Sequence, residues 1–152
     1  MTSAFDQLPA RPRPQPSAES QPYWDALKAH RLILQRCTNC RRVRHYPRPV
    51  CPHCYAFDYD WLDASGRGTV HSWTVSHHAF DPAFKAALPY ATVTVDLDEG
   101  VRLQAPLKGS DAEQLRIGLP VVIDFDDIDS DLTLPCVRIA PRTGTPACPP
   151  TN

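Results

Sequence analysis

The sequence predicts a mainly β protein: an N-terminal helix, a small rubredoxin-like ribbon tied by cysteines, then a five-stranded barrel of the OB-fold kind. Three observations carry that prediction. Cys37-Thr38-Asn39-Cys40 and Cys51-Pro52-His53-Cys54 are two C-x-x-C pairs separated by ten residues. From Thr69 to Ile139 the chain offers five runs of β-branched and alternating apolar residues. A short helical signal near residues 110–116 falls between the third and fourth of these runs, which is the element order of an OB barrel.

Residues 1–19 carry Pro9, Pro12, Pro14 and Pro16 and little apolar periodicity, so they are expected to form a disordered arm. Ser20 reads as an N-cap with Pro22 in the first turn, and Tyr23, Trp24 and Leu27 give one apolar face to a helix ending near His30. So short a helix cannot bury an aromatic pair alone, and the sequence leaves open whether it docks on its own chain or on a partner. Leu32–Arg36 and Val43–Tyr46 read as strands entering and leaving the first cysteine turn. Phe57, Tyr59 and Trp61 alternate with Asp58 and Asp60 as a third strand, completing a unit at 20–64. Ser65-Gly66-Arg67-Gly68 breaks the pattern and marks the boundary.

The second unit, 65–140, begins with a strand over Thr69–His78 and a helical turn or loop over Asp81–Ala87. Tyr90–Leu97 and Val101–Leu107 alternate in phase around Asp98-Glu99-Gly100, a hairpin turn. A helix capped by Ser110 or Asp111 runs to Arg116 and stops at Gly118. Val121–Phe125 and Leu132–Ile139 supply the last two strands, and Pro141, Pro146, Pro149 and Pro150 make 141–152 a Pro-rich tail.

Two C-x-x-C turns can aim four thiolates at one point, and four thiolates fill a tetrahedral shell and leave no place for substrate. Cys37, Cys40, Cys51 and Cys54 therefore read as ligands of a structural zinc, with iron as the other metal such a set accepts. Disulfides or redox C-x-x-C motifs are the bland alternatives, and the paired spacing argues against both. His53 sits inside a turn and, with four cysteines present, is expected to point outward. Cys136 and Cys148 remain as free thiols, Cys136 as a small core residue.

The chain has 152 residues and a formal net charge of −1, which conceals a separation. Between Ala26 and Phe57 lie Lys28, Arg31, Arg36, Arg41, Arg42, Arg44 and Arg48 and no acidic residue. Asp58 to Ala140 holds six basic residues against fourteen acidic ones. Such a split suggests two surfaces with different partners, or arginines that offset a charged metal cluster. Arg41, Arg42 and Arg44 are expected to project outward between the cysteine turns. No run of about 18 apolar residues is present, so no membrane span is expected. The first 19 residues lack an apolar stretch of signal-peptide type, and the cytoplasm is the default expectation.

The stretches RLILQRCTNC, YPRPVCPHC, WLDASGRGTVHSWTVSH, PYATVTVDLDEGVRLQAPLKG and RIGLPVVIDFDDI, in that order over roughly 20–140, resemble the OB-fold/zinc-ribbon accessory proteins first grouped as a family of unknown function. The resemblance implies a non-catalytic subunit that partners thiolase-fold condensing, cleaving or aldolase enzymes, or hydratases, of acyl-CoA metabolism. It implies that Cys37, Cys40, Cys51 and Cys54 hold structural zinc and that ribbon and barrel frame the path of a CoA thioester. Arg48 and the Gly66/Gly68 turn match the family pattern, whereas Arg41, Arg42 and Arg44 depart from it. These four arginines are the candidates for contact with CoA phosphates or with an acidic surface of the partner.

Two readings from other classes compete. A single-stranded nucleic-acid module would use Trp73, Phe80 and Phe84 for stacking. Against it, Ser65–Ala140 holds six basic and eleven acidic residues, where a phosphate backbone needs a basic groove. A stand-alone enzyme would have to use His71, His77, His78 or a free thiol. His77 and His78, neighbours on an expected strand, face opposite sides, and no G-x-S-x-G or H-E-x-x-H motif is present.

Overall fold

A computed structural model describes residues 12–141. The expected Pro-rich tail beyond Pro141, with Cys148, and residues 1–11 of the expected arm lie outside the described residues. Helix α1 spans Gln21–Lys28, two residues shorter than expected. Ser20 holds the N-cap position but does not cap through its side chain. Its hydroxyl instead accepts the Ser17 N–H at 2.9 Å and donates to the Ser17 carbonyl, so it braces the approach to the helix.

The ribbon is a three-stranded antiparallel sheet of β1 (Ile33–Cys37), β2 (Val43–Arg44) and β3 (Tyr59–Asp63), with β1 in the centre. Strand β2 is half its expected length, and Phe57 precedes β3 and is exposed. Tyr59 and Trp61 do share a face, edge to face at 5.8 Å.

The barrel consists of β4 (Arg67–Ser76), β5 (Tyr90–Leu97), β6 (Arg102–Pro106), β7 (Pro120–Asp129) and β8 (Leu132–Ile139), in the spatial order β6-β5-β4-β7-β8. Its edges meet at one parallel bridge, Leu107 to Val137, and at the Lys108 N–H donating to the Val137 carbonyl at 2.9 Å. The barrel is thus pinned shut at one point instead of along a full ladder. Alternation along β5 buries Ala91, Val93, Val95 and Leu97, as the period-two pattern requires.

Several expected bounds move. Strand β4 begins at Arg67, so the break between units is shorter than Ser65–Gly68. It ends at Ser76, which leaves His77 and His78 in the following loop and removes the argument that they face opposite sides of a strand. The expected helix over 110–116 is only a 3-10 turn at Ala112–Gln114, and Asp111 does not cap it. Pro82–Ala87 is a 3-10 turn capped by Asp81, whose carboxylate accepts the Ala83 N–H at 2.8 Å.

The structure decides where the helix docks. Tyr23 and Leu27 are buried, and with Leu32 and Leu34 they join Val70, Val93, Val95, Leu103 and Val121 in one core. Helix α1 packs against β8 as well as β1. His30 stacks on Phe125 at 5.2 Å and bonds Asp127 at 2.9 Å, fastening the helix end to β7. Ribbon and barrel therefore share a core, and apolar burial that neither could supply alone holds both. Among the described residues no helix is long and apolar enough to cross a membrane.

Candidate metal centre and flanking surfaces

The four cysteines converge as their spacing demands. Their Sγ atoms all lie within 4.8 Å of one another, with Cys37 to Cys54 at 3.5 Å and Cys40 to Cys51 at 3.7 Å. Cys37 and Cys51 are buried and Cys40 and Cys54 half-buried, so the cluster sits at the ribbon's tip with one side toward solvent.

The two turns repeat one construction. In the first, Cys37 N donates to Arg42 O and Arg41 N to Cys37 O, both at 3.0 Å. In the second, Cys51 N donates to Ala56 O at 2.9 Å and Tyr55 N to Cys51 O at 3.0 Å. Backbone N–H groups of Arg42 and Ala56 then point at the sulfurs of Cys40 and Cys54. Such donors favour thiolate over thiol. The Asn39 side chain and the Ala56 N–H lower the Cys54 thiol to about 6, and the Cys54 and His53 N–H groups lower Cys51. Cys40, despite the Arg42 N–H, is pushed up to about 11 by burial and by the three neighbouring sulfurs. Four sulfurs cannot all ionise together unless a cation replaces the protons, so the donor set fits a tetrahedral thiolate metal such as zinc. His53 is exposed, and its imidazole lies outside the four-sulfur set.

The construction forces both residues after the second cysteine of each turn into the left-handed region, Arg41 at φ 61° and Tyr55 at φ 60°. A side chain there costs about 1–2 kcal/mol, a cost glycine avoids at the expense of some unfolded-state entropy. Tyr55 is exposed and loses little packing on truncation. Tyr55→Gly is therefore expected to raise the unfolding free energy of the metal-loaded protein by about 0.5–1 kcal/mol, and Tyr55→Val to lower it. Urea unfolding of both variants checks the pair of signs.

The four candidate arginines separate. Arg42 and Arg48 are exposed. Arg41 is exposed but lies 3.6 Å from Asp60, which Arg36 grips at 2.8 Å through two nitrogens. Arg44 does not project outward: it is 8% exposed, its Nε donates to Gln35 Oε1 at 2.5 Å, and its Nη2 donates to the Arg48 carbonyl at 3.1 Å. Strand pairing explains the reversal, because Arg44 is the cross-strand partner of the buried Gln35. The signal was present as a glutamine at a position that shares its strand face with Cys37.

A second feature was not foreseen as a unit. An open groove of about 1030 Å³ runs beside β4 and β5, walled by Trp73, Val75, Phe84, Pro89, Tyr90 and Leu107. Asp111, Glu113 and the Lys108–Asp126 pair, at 2.8 Å, edge it. Phe80, in the loop beside it, is 96% exposed with His78 against its ring at 4.9 Å. Elsewhere, His71 Nδ1 and Arg102 Nε share the Asp96 carboxylate at 2.9 and 2.7 Å, an ion-paired surface cluster. Cys136 is buried, and burial raises its thiol, as befits a core residue and not a nucleophile.

A helix, a four-cysteine ribbon and an OB-type barrel sharing one core define the class of zinc-ribbon/OB-fold proteins. Comparison with known sequences agrees segment by segment: residues 24–60 match the family model described as the ChsH2 rubredoxin-like zinc ribbon domain, and residues 61–126 match its C-terminal OB-fold domain. A DUF35 domain-containing scaffold protein of Methanocaldococcus jannaschii is 32% identical over 101 residues, 66% of this chain and 71% of that protein. The chain belongs to this ChsH2-like DUF35 family. A probable enoyl-CoA hydratase alpha subunit of Thermomonospora curvata is 44% identical over 130 residues, 86% of this chain. The match takes up 40% of that subunit, so this chain spans about two fifths of its length. Among solved structures, a chain of an Ltp2-ChsH2(DUF35) aldolase superposes with a TM-score of 0.76 at 42% identity, covering 84% of this chain and 98% of that one.

Proposed function

We propose that this chain is a non-catalytic accessory subunit of a thiolase-like enzyme of acyl-CoA metabolism, a thiolase, aldolase or hydratase complex of the cytoplasm. In this reading it supports assembly and CoA-thioester binding for carbon–carbon bond cleavage or formation. The partner subunit carries the reacting groups. The observation that carries the reading is the match, over nearly the whole of a solved chain, to a component of a structure named for an aldolase. The relationship to a named enoyl-CoA hydratase alpha subunit supports the acyl-CoA setting.

Zinc on Cys37, Cys40, Cys51 and Cys54 is structural in this proposal, since four thiolates leave it no open position. When bound it supplies folding energy. The chain's own residues do the rest. Phe80, 96% exposed on the loop after β4, and the aromatic groove offer the rigid apolar anchors that dominate protein interfaces. Arg42 and Arg48 remain the exposed cations available to CoA phosphates or to an acidic partner surface. The nucleic-acid alternative is disfavoured, because the barrel is acidic and its aromatic groove is edged by Asp111, Glu113 and Asp126.

The test pairs this chain with the thiolase-fold enzyme of its own host. Phe80→Ala and Trp73→Ala are expected to weaken the complex tenfold or more, about 1.4 kcal/mol, while leaving the barrel folded. An Arg42→Ala/Arg48→Ala variant separates the two uses of charge. Raised KM for acyl-CoA with intact assembly indicates CoA contact, and a weaker, less salt-sensitive complex indicates a partner surface. Failure of the wild-type chain to form any complex would reject the proposal.

A further inference from the structure

Arg44 is a cation placed where no cation should be stable. Its side chain is at least nine-tenths buried, and both of its bonded nitrogens meet neutral acceptors, the Gln35 amide oxygen and the Arg48 carbonyl. Its third nitrogen, Nη1, is buried without a hydrogen-bond partner. None of the ion pairs among the described residues includes it. The acidic side chains of β3 are occupied elsewhere, Asp60 by Arg36 and Arg41 and Asp63 by Arg31. A buried guanidinium held only by neutral groups is strongly unfavourable unless a negative charge lies nearby. The Tyr59 ring, its centroid 5.6 Å from the guanidinium carbon, gives only partial relief.

The strand register places Arg44 on the same sheet face as the first cysteine of the cluster. Gln35 pairs with Arg44 across to β2 and with Trp61 across to β3, and Cys37 pairs with Tyr59. Cross-strand partners share a sheet face, as do residues two apart on one strand. Cys37, Gln35, Arg44 and Tyr59 therefore occupy one face, with Arg44 a single side-chain step, about 7 Å, from the Cys37 row. From the other side Arg44 and Cys51 line the same small cavity of about 300 Å³, together with Arg42 and His53. Without metal the four sulfurs of this site cannot all ionise together. With four thiolates around a dication it carries two negative charges.

We infer that Arg44 is the built-in counter-charge of the metal–thiolate cluster: it stabilises the loaded site and destabilises the empty one, coupling metal binding to ribbon folding. Arg44 is thus a positioning residue toward the metal and not a ligand, and Gln35 is the group that aims it. The charge is permanent, so the coupling does not depend on pH in the way a histidine would.

The experiment measures zinc affinity by competition with a chromophoric chelator, and thiolate-to-metal charge-transfer bands after cobalt(II) substitution, for wild type, Arg44→Met and Arg44→Lys. Arg44→Met, neutral and unbranched, is expected to bind zinc at least tenfold more weakly and to shift the cobalt charge-transfer bands. Arg44→Lys is expected to stay within about threefold of wild type, since it keeps the charge that the coupling requires. Without metal, Arg44→Met is expected to melt no lower than wild type, because a buried unpaired charge has been removed. If Arg44→Met binds zinc with unchanged affinity, or if Arg44→Lys is as impaired as Arg44→Met, the inference is overturned and Arg44 serves packing alone. The metal-free melting comparison keeps the proposal testable even if one variant cannot be loaded: a metal-free Arg44→Met far less stable than metal-free wild type also overturns it.

Discussion

Chelation of the metal, or Cys51→Ser, is expected to destabilise the ribbon and the barrel with it. Purified wild-type chain should contain about one zinc per chain, and the serine variant well under half of that. Structural zinc contributes on the order of 10 kcal/mol in small ribbons and fingers, comparable to the whole stability of a typical domain. The loss should not stay local, since Leu34 on β1 and Leu32 just before it lie in the same core as Val70, Val93 and Val95. A single cooperative transition shifted down by more than about 10 °C is therefore expected, instead of a barrel melting unchanged after the ribbon is lost. Metal analysis alongside calorimetry, before and after a strong chelator and again after zinc is restored, reads both parts. A chain without stoichiometric zinc or iron would remove the basis for this expectation.

Gly68→Ala should be the most damaging single methyl in the barrel. Gly68 pairs with Leu97 on one side and Val121 on the other, at the centre of β5-β4-β7. An added Cβ would overlap the Asp96 carbonyl and sit 2.7 Å from Val95 Cγ1. The carbonyl belongs to a paired backbone and cannot rotate away, so β4 must withdraw from β5 there. Overpacking of this kind costs about 3 kcal/mol, and a drop of roughly 8–10 °C in Tm follows for a domain of this size. Gly66→Ala is the natural comparison: a Cβ added there would meet only Ile123 O, at an ordinary 3.6 Å, but φ is +70°, so its cost is backbone strain and not overlap.

How far the sequence reached can be read from particular residues. Periodicity located Tyr90–Leu97 to the residue, because a half-buried strand forces alternation and this run has it; Leu132–Ile139 also has the expected bounds, although its burial does not alternate. The cysteine turns were equally legible, since ligand spacing is a local property. What failed was long-range. Arg44 looked like one more arginine in an exposed loop, and only its pairing with Gln35 across the sheet turns it inward. His77 and His78 continued the residue pattern of β4, yet β5 pairs no further than Ser76, opposite Tyr90. Ser20 had the chemistry of a cap, but the preceding turn offered it Ser17 as a nearer partner. The groove is assembled from Trp73, Phe84, Tyr90, Leu107 and Asp126, segments with no local motif in common, so no window of sequence displays it. Whether α1 faced its own body could not be read from the helix either; its burial against β8, a strand more than a hundred residues later, decides it.

The most direct measurement of the central claim is acyl-CoA turnover by the host's thiolase-fold enzyme while this chain is titrated in. The account predicts activity that rises and saturates at a fixed stoichiometry, with none from this chain alone across a panel of acyl-CoA substrates. Turnover by this chain alone, or partner activity indifferent to its presence, would contradict it.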